Sequence, residues 1–299
     1  MNHGFLITAY KDTPQLYKLV QHLDSKNSYF YIHIDKKSNI SDQALIQQLK
    51  IKPNVNILEN AIPVNWGGFS HLKAILLLIK IALNNGEISY FHTLSGQCFP
   101  IKPINEIMNF FEKNKNLEFI DFFKMPTTKL FEGGLNRLQL FRPNDIFNEK
   151  GNFFERKTYS LIIKLQKLVH IKRSYPKNFP QLYWGSTWWS LSRDCLEYVI
   201  QYIKHNPDFI QRFKHTFCAE EMLFQTIIVN SIFKRNIINE NLRYIDWTEK
   251  NGNSPSILDE TDYNLILNSK KLFARKFDSQ ISSDLLQKII SNHQLQNTP

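Results

Sequence analysis

Two hydrophobic periods alternate along the first 120 residues, and that alternation excludes most folds. Residues 5–8 (FLIT) form a short apolar run of the kind a buried strand needs, and residues 13–23 place Leu16, Leu19, Val20 and Leu23 on one helical face. Residues 29–34 (YFYIHI) are a second strand, stopped by Asp35-Lys36-Lys37-Ser38. Ser41 is the expected cap of a helix running to about Leu49, and residues 55–58 make a third strand. Gly67-Gly68-Phe69-Ser70 reads as a loop with Ser70 as N-cap. The helix it opens carries Leu72, Ile75, Leu76, Ile79 and Leu83 on its core face, and Asn84-Asn85-Gly86 ends it. Residues 89–94, 104–111 and 117–122 continue as strand, helix and strand. Strands that alternate with helices predict an α/β fold with a mostly parallel sheet, covered on both faces.

The second half has a different texture. Residues 127–150 contain Gly133-Gly134, Pro143 and Asn144 and read as irregular structure over a site. Residues 154–170 form an amphipathic basic helix with Lys157, Lys164 and Lys167, followed by Lys172-Arg173. A Trp-rich strand (187–192), helices near 194–204 and 219–229, a closing strand (242–247) and a helical tail after Ser282 complete the chain. No repeat, low-complexity tract or Gly/Ser linker interrupts it. One continuous unit is expected over 1–299, with a nucleotide-binding half (1–122) and an acceptor and catalytic half (123–299).

Charge narrows the partners. The 37 basic and 27 acidic side chains give a net +10, which favours anions: nucleotides, nucleic acid or an anionic lipid surface. A solubilising surface explains the same number, so charge does not decide function. The longest apolar stretch, residues 74–83, is broken by Lys80 and falls short of the ~20 residues of a bilayer span. The N-terminus lacks the pattern of a secretory signal, and Cys98, Cys195 and Cys218 are odd in number and far apart. Both features point to a cytosolic protein with reduced thiols.

No P-loop, GxGxxG, HExxH, GxSxG or kinase signature occurs, and the nine histidines lack metal-ligand spacing. The chemistry must lie in a few dense segments. Asp35 sits at a strand end, where open α/β sheets bind ligands, although a turn-forming Asp explains it equally. Gly67-Gly68 before a helix permits close approach to an anion or sugar, or makes a plain tight turn. Trp188, Trp189 and Trp247 offer faces for sugar stacking, or core packing.

The order of the segments is distinctive. HIDKKS (33–38), WGGFS (66–70), SGQCFPIK (95–102), the Gly185-Ser186-x-Trp188-Trp189 strand, Glu220-Glu221-Met222 and LFARKFD (272–278) together resemble the core-2/I-branching β-1,6-N-acetylglucosaminyltransferase family, glycosyltransferase family 14, in a short bacterial form. The resemblance spans about residues 5–278. It implies a GT-A-type fold, a UDP-sugar donor with GlcNAc first, inversion at the anomeric carbon, and catalysis without a metal. By the same resemblance Glu221 is the catalytic carboxylate and Glu220, beside it, an acceptor-side group. Lys276 is the diphosphate ligand, with Arg275 next to it and Thr8, Asp35, Gly67 and Gly68 on the donor side. Arg137, Trp188 and Trp247 fall on the acceptor side.

The residues agree on the metal. No Asp-x-Asp occurs, and Cys98 stands where the family often has Asp, a poor ligand for a hard cation. The counter-charge for a departing diphosphate is therefore expected from Lys or Arg. The family's second diphosphate Arg aligns near Ser256, which leaves Arg243, Lys270 or another cation to replace it. The expected activity is transfer to a saccharide or lipid-linked oligosaccharide of a bacterial surface glycan, at the anionic inner leaflet and without nucleic acid. The alternatives are the same fold with UDP-xylose, UDP-galactose or UDP-glucuronate, or a non-catalytic basic module for nucleic acid or anionic lipid.

Overall fold

The computed structural model describes residues 1–38 and 42–296. Its first part runs β1 (Asn2–Ala9), α1 (Thr13–Leu23), β2 (Ser28–Ile34), α2 (Gln43–Lys50), β3 (Val55–Ile57), α3 (Phe69–Ala82), β4 (Ile88–Ser95), β5 (Cys98–Pro100), α4 (Ile104–Lys113) and β6 (Glu118–Ile120). Next come β7 (Phe123–Lys124), α5 (Asn136–Gln139), α6 (Phe153–Leu168), β8 (Tyr183–Trp184), β9 (Trp189–Ser192), α7 (Arg193–His205) and α8 (Pro207–Phe213). The chain closes with α9 (Leu223–Val229), β10 (Ile237–Ile238), β11 (Arg243–Ile245), α10 (Tyr263–Leu267), β12 (Phe273–Arg275) and α11 (Ser283–Gln296).

Seven strands form the central sheet in the order β10-β6-β9-β4-β1-β2-β3. All run parallel except β9, which is antiparallel to both of its neighbours. This is the mixed α/β, mostly parallel architecture of a GT-A-type fold. Alternation along the strands builds a core on each face. Phe5 and Ile7 of β1 pack with Leu16, Leu19 and Phe111 from α1 and α4, while Leu6 joins Leu72, Ile75 and Ile79 of α3 on the other face. The sheet draws on both halves of the chain, because β9 and β10 are inserted beside β4 and β6.

Several boundaries differ from the sequence expectations, each for a local reason. Ser41 lies outside the described residues; Asp42 caps α2, accepting from the Leu45 N–H at 3.0 Å. Ser70 is not the N-cap of α3, a place held by Gly68. The Ser70 N–H instead donates to both carboxylate oxygens of Asp145 at 3.2 Å, so an acid 75 residues away satisfies the helix start. The helix expected over 219–229 is split: Ala219–Glu221 form a 3-10 turn, Met222 leaves helical geometry at φ −128°, and α9 starts at Leu223. The expected strand at 242–247 shortens to β11 and leaves the central sheet for a small one, β11-β12-β5.

Arg243 joins the two sheets. It is 3% exposed, and its guanidinium donates to Ser190 Oγ (2.8 Å), Thr93 O (3.0 Å) and Trp189 O (3.1 Å). Ser190 Oγ in turn meets His92 Nδ1 at 2.9 Å, and His92 Nε2 meets His3 Nδ1 at 2.9 Å. Burial pushes His3 down to about 3, so this stack is neutral at ordinary pH. Burial also lowers Arg243 to about 10, still charged near neutrality.

Arg243→Leu should therefore destabilise the fold by about 3 kcal/mol or more, since each buried acceptor left unpaired costs about 1–3 kcal/mol. Thermal denaturation monitored by circular dichroism measures this, and an unchanged midpoint would contradict the placement of Arg243.

Candidate active site

Thr8, Asp35 and Ser95 end adjacent parallel strands, where side chains and loops converge on one edge of the sheet. The Thr8 carbonyl accepts from the Gly96 N–H (3.0 Å), and the Asp35 N–H donates to Ala9 O (2.8 Å). Asp35 Oδ1 accepts from the N–H groups of Lys37 (2.9 Å) and Val64 (3.1 Å). Asp35 thus pins the segment that leads into Trp66-Gly67-Gly68.

The C-terminal part of the chain crosses these strand ends. Phe277 N–H donates to Gln97 O at 2.8 Å, and Ser279 N–H to Asp12 Oδ2 at 2.7 Å. Arg275 lies opposite Cys98 in the β12–β5 pairing, with its guanidinium 4.5 Å from the Trp188 ring centre. Arg275 Nε is buried and has no hydrogen-bond partner among the described residues. Lys276 follows, half-buried; its backbone N–H donates to Ser256 O at 3.3 Å. Burial, then the charges of Arg275, Lys150 and Lys11, lower the Lys276 ammonium to about 8. Four cations from three parts of the chain therefore share one field. Lys150 belongs to the irregular 127–150 segment and sits 3.8 Å over the Trp66 ring.

The acids occupy the opposite side. The turn that carries them is held by Cys218 N–H to Gly67 O (3.0 Å) and Gly185 N–H to Glu221 O (2.8 Å). Glu221 Oε2 accepts from Arg137 Nη1 (2.7 Å) and Trp184 Nε1 (3.1 Å). Its Oε1 receives no hydrogen bond from the described residues, and the side chain remains 24% exposed. Burial raises the Glu221 carboxyl above its ordinary value despite the pull of Arg137, with the Glu220 charge adding to the rise. Glu220 faces inward: its side chain is 4% exposed, and Oε1 meets His71 Nδ1 at 3.0 Å. Burial opposes charge on His71, but the Glu220 carboxylate outweighs it and raises the imidazole.

The expected residues thus divide. Glu221 is bonded to Arg137, Arg275 lies over Trp188 next to Lys276, and the Glu221 charge is felt at Arg275. Glu220 is turned away from solvent onto His71, which makes it an internal partner rather than an acceptor contact. Trp188 is buried under Arg275 and offers no free stacking face, whereas Trp247 is 66% exposed. Gly67 has φ +70°, and a Cβ there would fall 2.4 Å from the Phe217 ring; one at Gly68 would fall 2.2 Å from Asp145 Oδ1. The close approach these glycines permit is made by the chain's own side chains. Arg243 is locked in the sheet junction, and Lys270 lines a separate surface cavity with Lys102 and Lys113. The cations beside Lys276 are Arg275, Lys150 and Lys11. Among the described residues no cluster of three His, Cys, Asp or Glu side chains is arranged to hold a metal.

His71, Trp184, Lys11 and Lys150 carry no motif and were not anticipated. Their partners are distant in sequence: His71 lies 149 residues from Glu220, and Trp184 37 from Glu221.

The family model described as Core-2/I-Branching enzyme matches residues 4–266. Xylosyltransferase sqv-6 from Caenorhabditis briggsae is 23% identical over 302 residues, covering 91% of this chain and 34% of that protein. Xylosyltransferase 2 from Rattus norvegicus is 24% identical over 297 residues, covering 91% and 31%. Xylosyltransferase 1 from the same organism is 22% identical over 310 residues, covering 96% and 34%. The chain spans about a third of the length of the curated relatives it matches.

The low Lys276 value makes a prediction with a definite sign. Above about pH 8 the free protein loses this charge, so UDP affinity should fall by about tenfold or more, the value of a charge-assisted phosphate contact. Calorimetric titration between roughly pH 7 and 9 should show the break, and Lys276→Arg should remove it. A flat profile, or the same break in the Arg variant, would contradict the assignment.

Proposed function

The chain belongs to the core-2/I-branching enzyme family, glycosyltransferase family 14, and on that premise we propose that it transfers a sugar from a UDP-sugar to a saccharide hydroxyl with inversion. The carrying observation is the division of labour at Glu221. Oε2 is tied to Arg137 and Trp184, while Oε1 accepts no hydrogen bond from the described residues and the side chain is 24% exposed. A fixed carboxylate with one free oxygen and a raised pKa suits general-base catalysis near neutrality.

In this reading the acceptor hydroxyl gives its proton to Glu221 Oε1 as its oxygen attacks the anomeric carbon. The bond from that carbon to the diphosphate oxygen breaks, and the departing charge is met by Lys276, with Lys150, Lys11 and Arg275 around it. The buried, unpartnered Nε of Arg275 supports a ligand on that side. These cations can supply the counter-charge that a divalent ion supplies elsewhere, so we take the reaction to need none. Trp247 is the aromatic face available to an acceptor sugar.

For the donor, the relatives named xylosyltransferases move UDP-xylose ahead of UDP-GlcNAc, the donor first expected from the family resemblance. For the acceptor, a lipid-linked oligosaccharide of a surface glycan at the inner leaflet remains the reading. No helix among the described residues is long and apolar enough to cross a membrane, and the +10 charge suits peripheral attachment.

A thermal-shift panel of nucleotide sugars tests the reading. A bound donor at a hundredfold excess over its dissociation constant contributes about 2.7 kcal/mol, several degrees of midpoint for a chain of this size. UDP-xylose should give the largest rise, and RNA none. No shift with any UDP-sugar, or a shift with RNA alone, would replace the enzyme by a basic binding module. Transfer should also persist in excess EDTA; complete loss restored by Mn²⁺ would overturn the metal-free step.

A further inference from the structure

One helix is built like a surface element with nothing on it. Ten of the twenty exposed large hydrophobic side chains among the described residues fall between residues 131 and 171, so the exposure is concentrated in one segment. Its centre is α6. Phe154, Leu161, Leu165 and Leu168 are spaced i, i+7, i+11 and i+14, which aligns them on one face, and Phe154 is 70% and Leu168 74% exposed. Arg156, Lys157, Lys164 and Lys167 occupy the adjoining flank, all exposed. The only acid in the helix, Glu155, is engaged in the capping box with Asn152, so no carboxylate offsets that flank.

The opposite side anchors the helix to the protein through polar contacts. Gln166 exchanges hydrogen bonds with the Phe141 backbone (2.7 and 2.9 Å), and Tyr159 OH accepts from Arg142 Nη1 at 3.1 Å. A capped, anchored helix with an apolar stripe and a cationic border is the design of an element lying in a membrane interface. Lys150 precedes the Asn152 cap by two residues and reaches the donor-side field, so the helix is joined directly to the wall of the site.

We infer that α6 docks the protein on an anionic phospholipid surface, the Phe154–Leu161–Leu165–Leu168 stripe entering the headgroup layer and the lysine flank meeting lipid charge. The docking stands on the helix alone; only its purpose, bringing the site to a membrane-held acceptor, rests on the proposed transfer.

The test is flotation of the full chain with phosphatidylcholine vesicles and with vesicles of equal phosphatidylcholine and phosphatidylglycerol, with UDP titration on the same preparations. The wild type should float with the anionic vesicles and not the neutral ones, and lose binding as salt rises. Lys157→Glu/Lys164→Glu and Leu161→Ser/Leu165→Ser should each weaken flotation about tenfold or more and leave UDP affinity unchanged. No flotation of the wild type, equal flotation on neutral vesicles, or self-association in solution abolished by the leucine variant would overturn the inference, the last by making a second copy the occupant. A leucine variant that loses UDP affinity as well would overturn the placement of the stripe outside the fold. Vesicle binding without UDP binding would uphold the docking surface and reject the transfer reading instead.

Discussion

A buried guanidinium at the junction of two sheets holds the candidate site in register. Arg243 ties the reversed strand β9 and the parallel strand β4 to β11, and β11 pairs with β12, which ends in Arg275. The cations over the strand ends are therefore positioned by the interior of the molecule. That junction acts together with the β12–β5 pairing and the Phe277 N–H bond to Gln97 O to fix where Lys276 lies. The reversed direction of β9 serves the same end, because it carries Trp188-Trp189 back towards the strand ends, where Arg275 lies over Trp188.

One dry environment then shapes both halves of the site in opposite senses. Burial raises the Glu221 carboxyl and lowers the Lys276 ammonium, each towards neutrality, because both charged forms lose hydration. Arg137 keeps Glu221 from rising further, while Arg275, Lys150 and Lys11 push Lys276 lower. An acid raised and a cation lowered in one region form the kind of paired displacement that marks a candidate functional cleft. His71 and Glu220 form an internal hydrogen-bonded pair at the turn that carries Glu221.

Much of the first half was legible in the sequence because its signals are local. The faces of α1 and α3 follow from apolar spacing, and β2, β4 and β6 fall within two residues of their expected bounds, with β1 starting three residues early. What escaped was set by distance. Ser70 looked like a cap, but Asp145 satisfies the helix start from 75 residues away, and no local pattern reports that. The 219–229 segment reads as one helix because its side chains suit one; hydrogen bonds to Gly67 and Gly185 tighten its first three residues into a 3-10 turn. Glu221, Lys276 and Arg275 are candidates through the order of their motifs. Trp184, His71, Lys11 and Lys150 join the site only through tertiary contact, and Arg243 proved structural because it bonds to Thr93, Trp189 and Ser190 in the core strands and to the Asn241 carbonyl.

The central claim is that Glu221 acts on the acceptor proton while the cations hold the diphosphate, so the two functions separate by substitution. Glu221→Gln keeps an oxygen for Arg137 and Trp184 but cannot take a proton at the free position. Turnover and UDP affinity measured on the same preparation decide the matter. The account predicts a fall in turnover of about 10²–10⁴-fold with UDP affinity close to wild type; turnover near the wild-type rate, or a loss of UDP affinity that matches the loss of turnover, would contradict it.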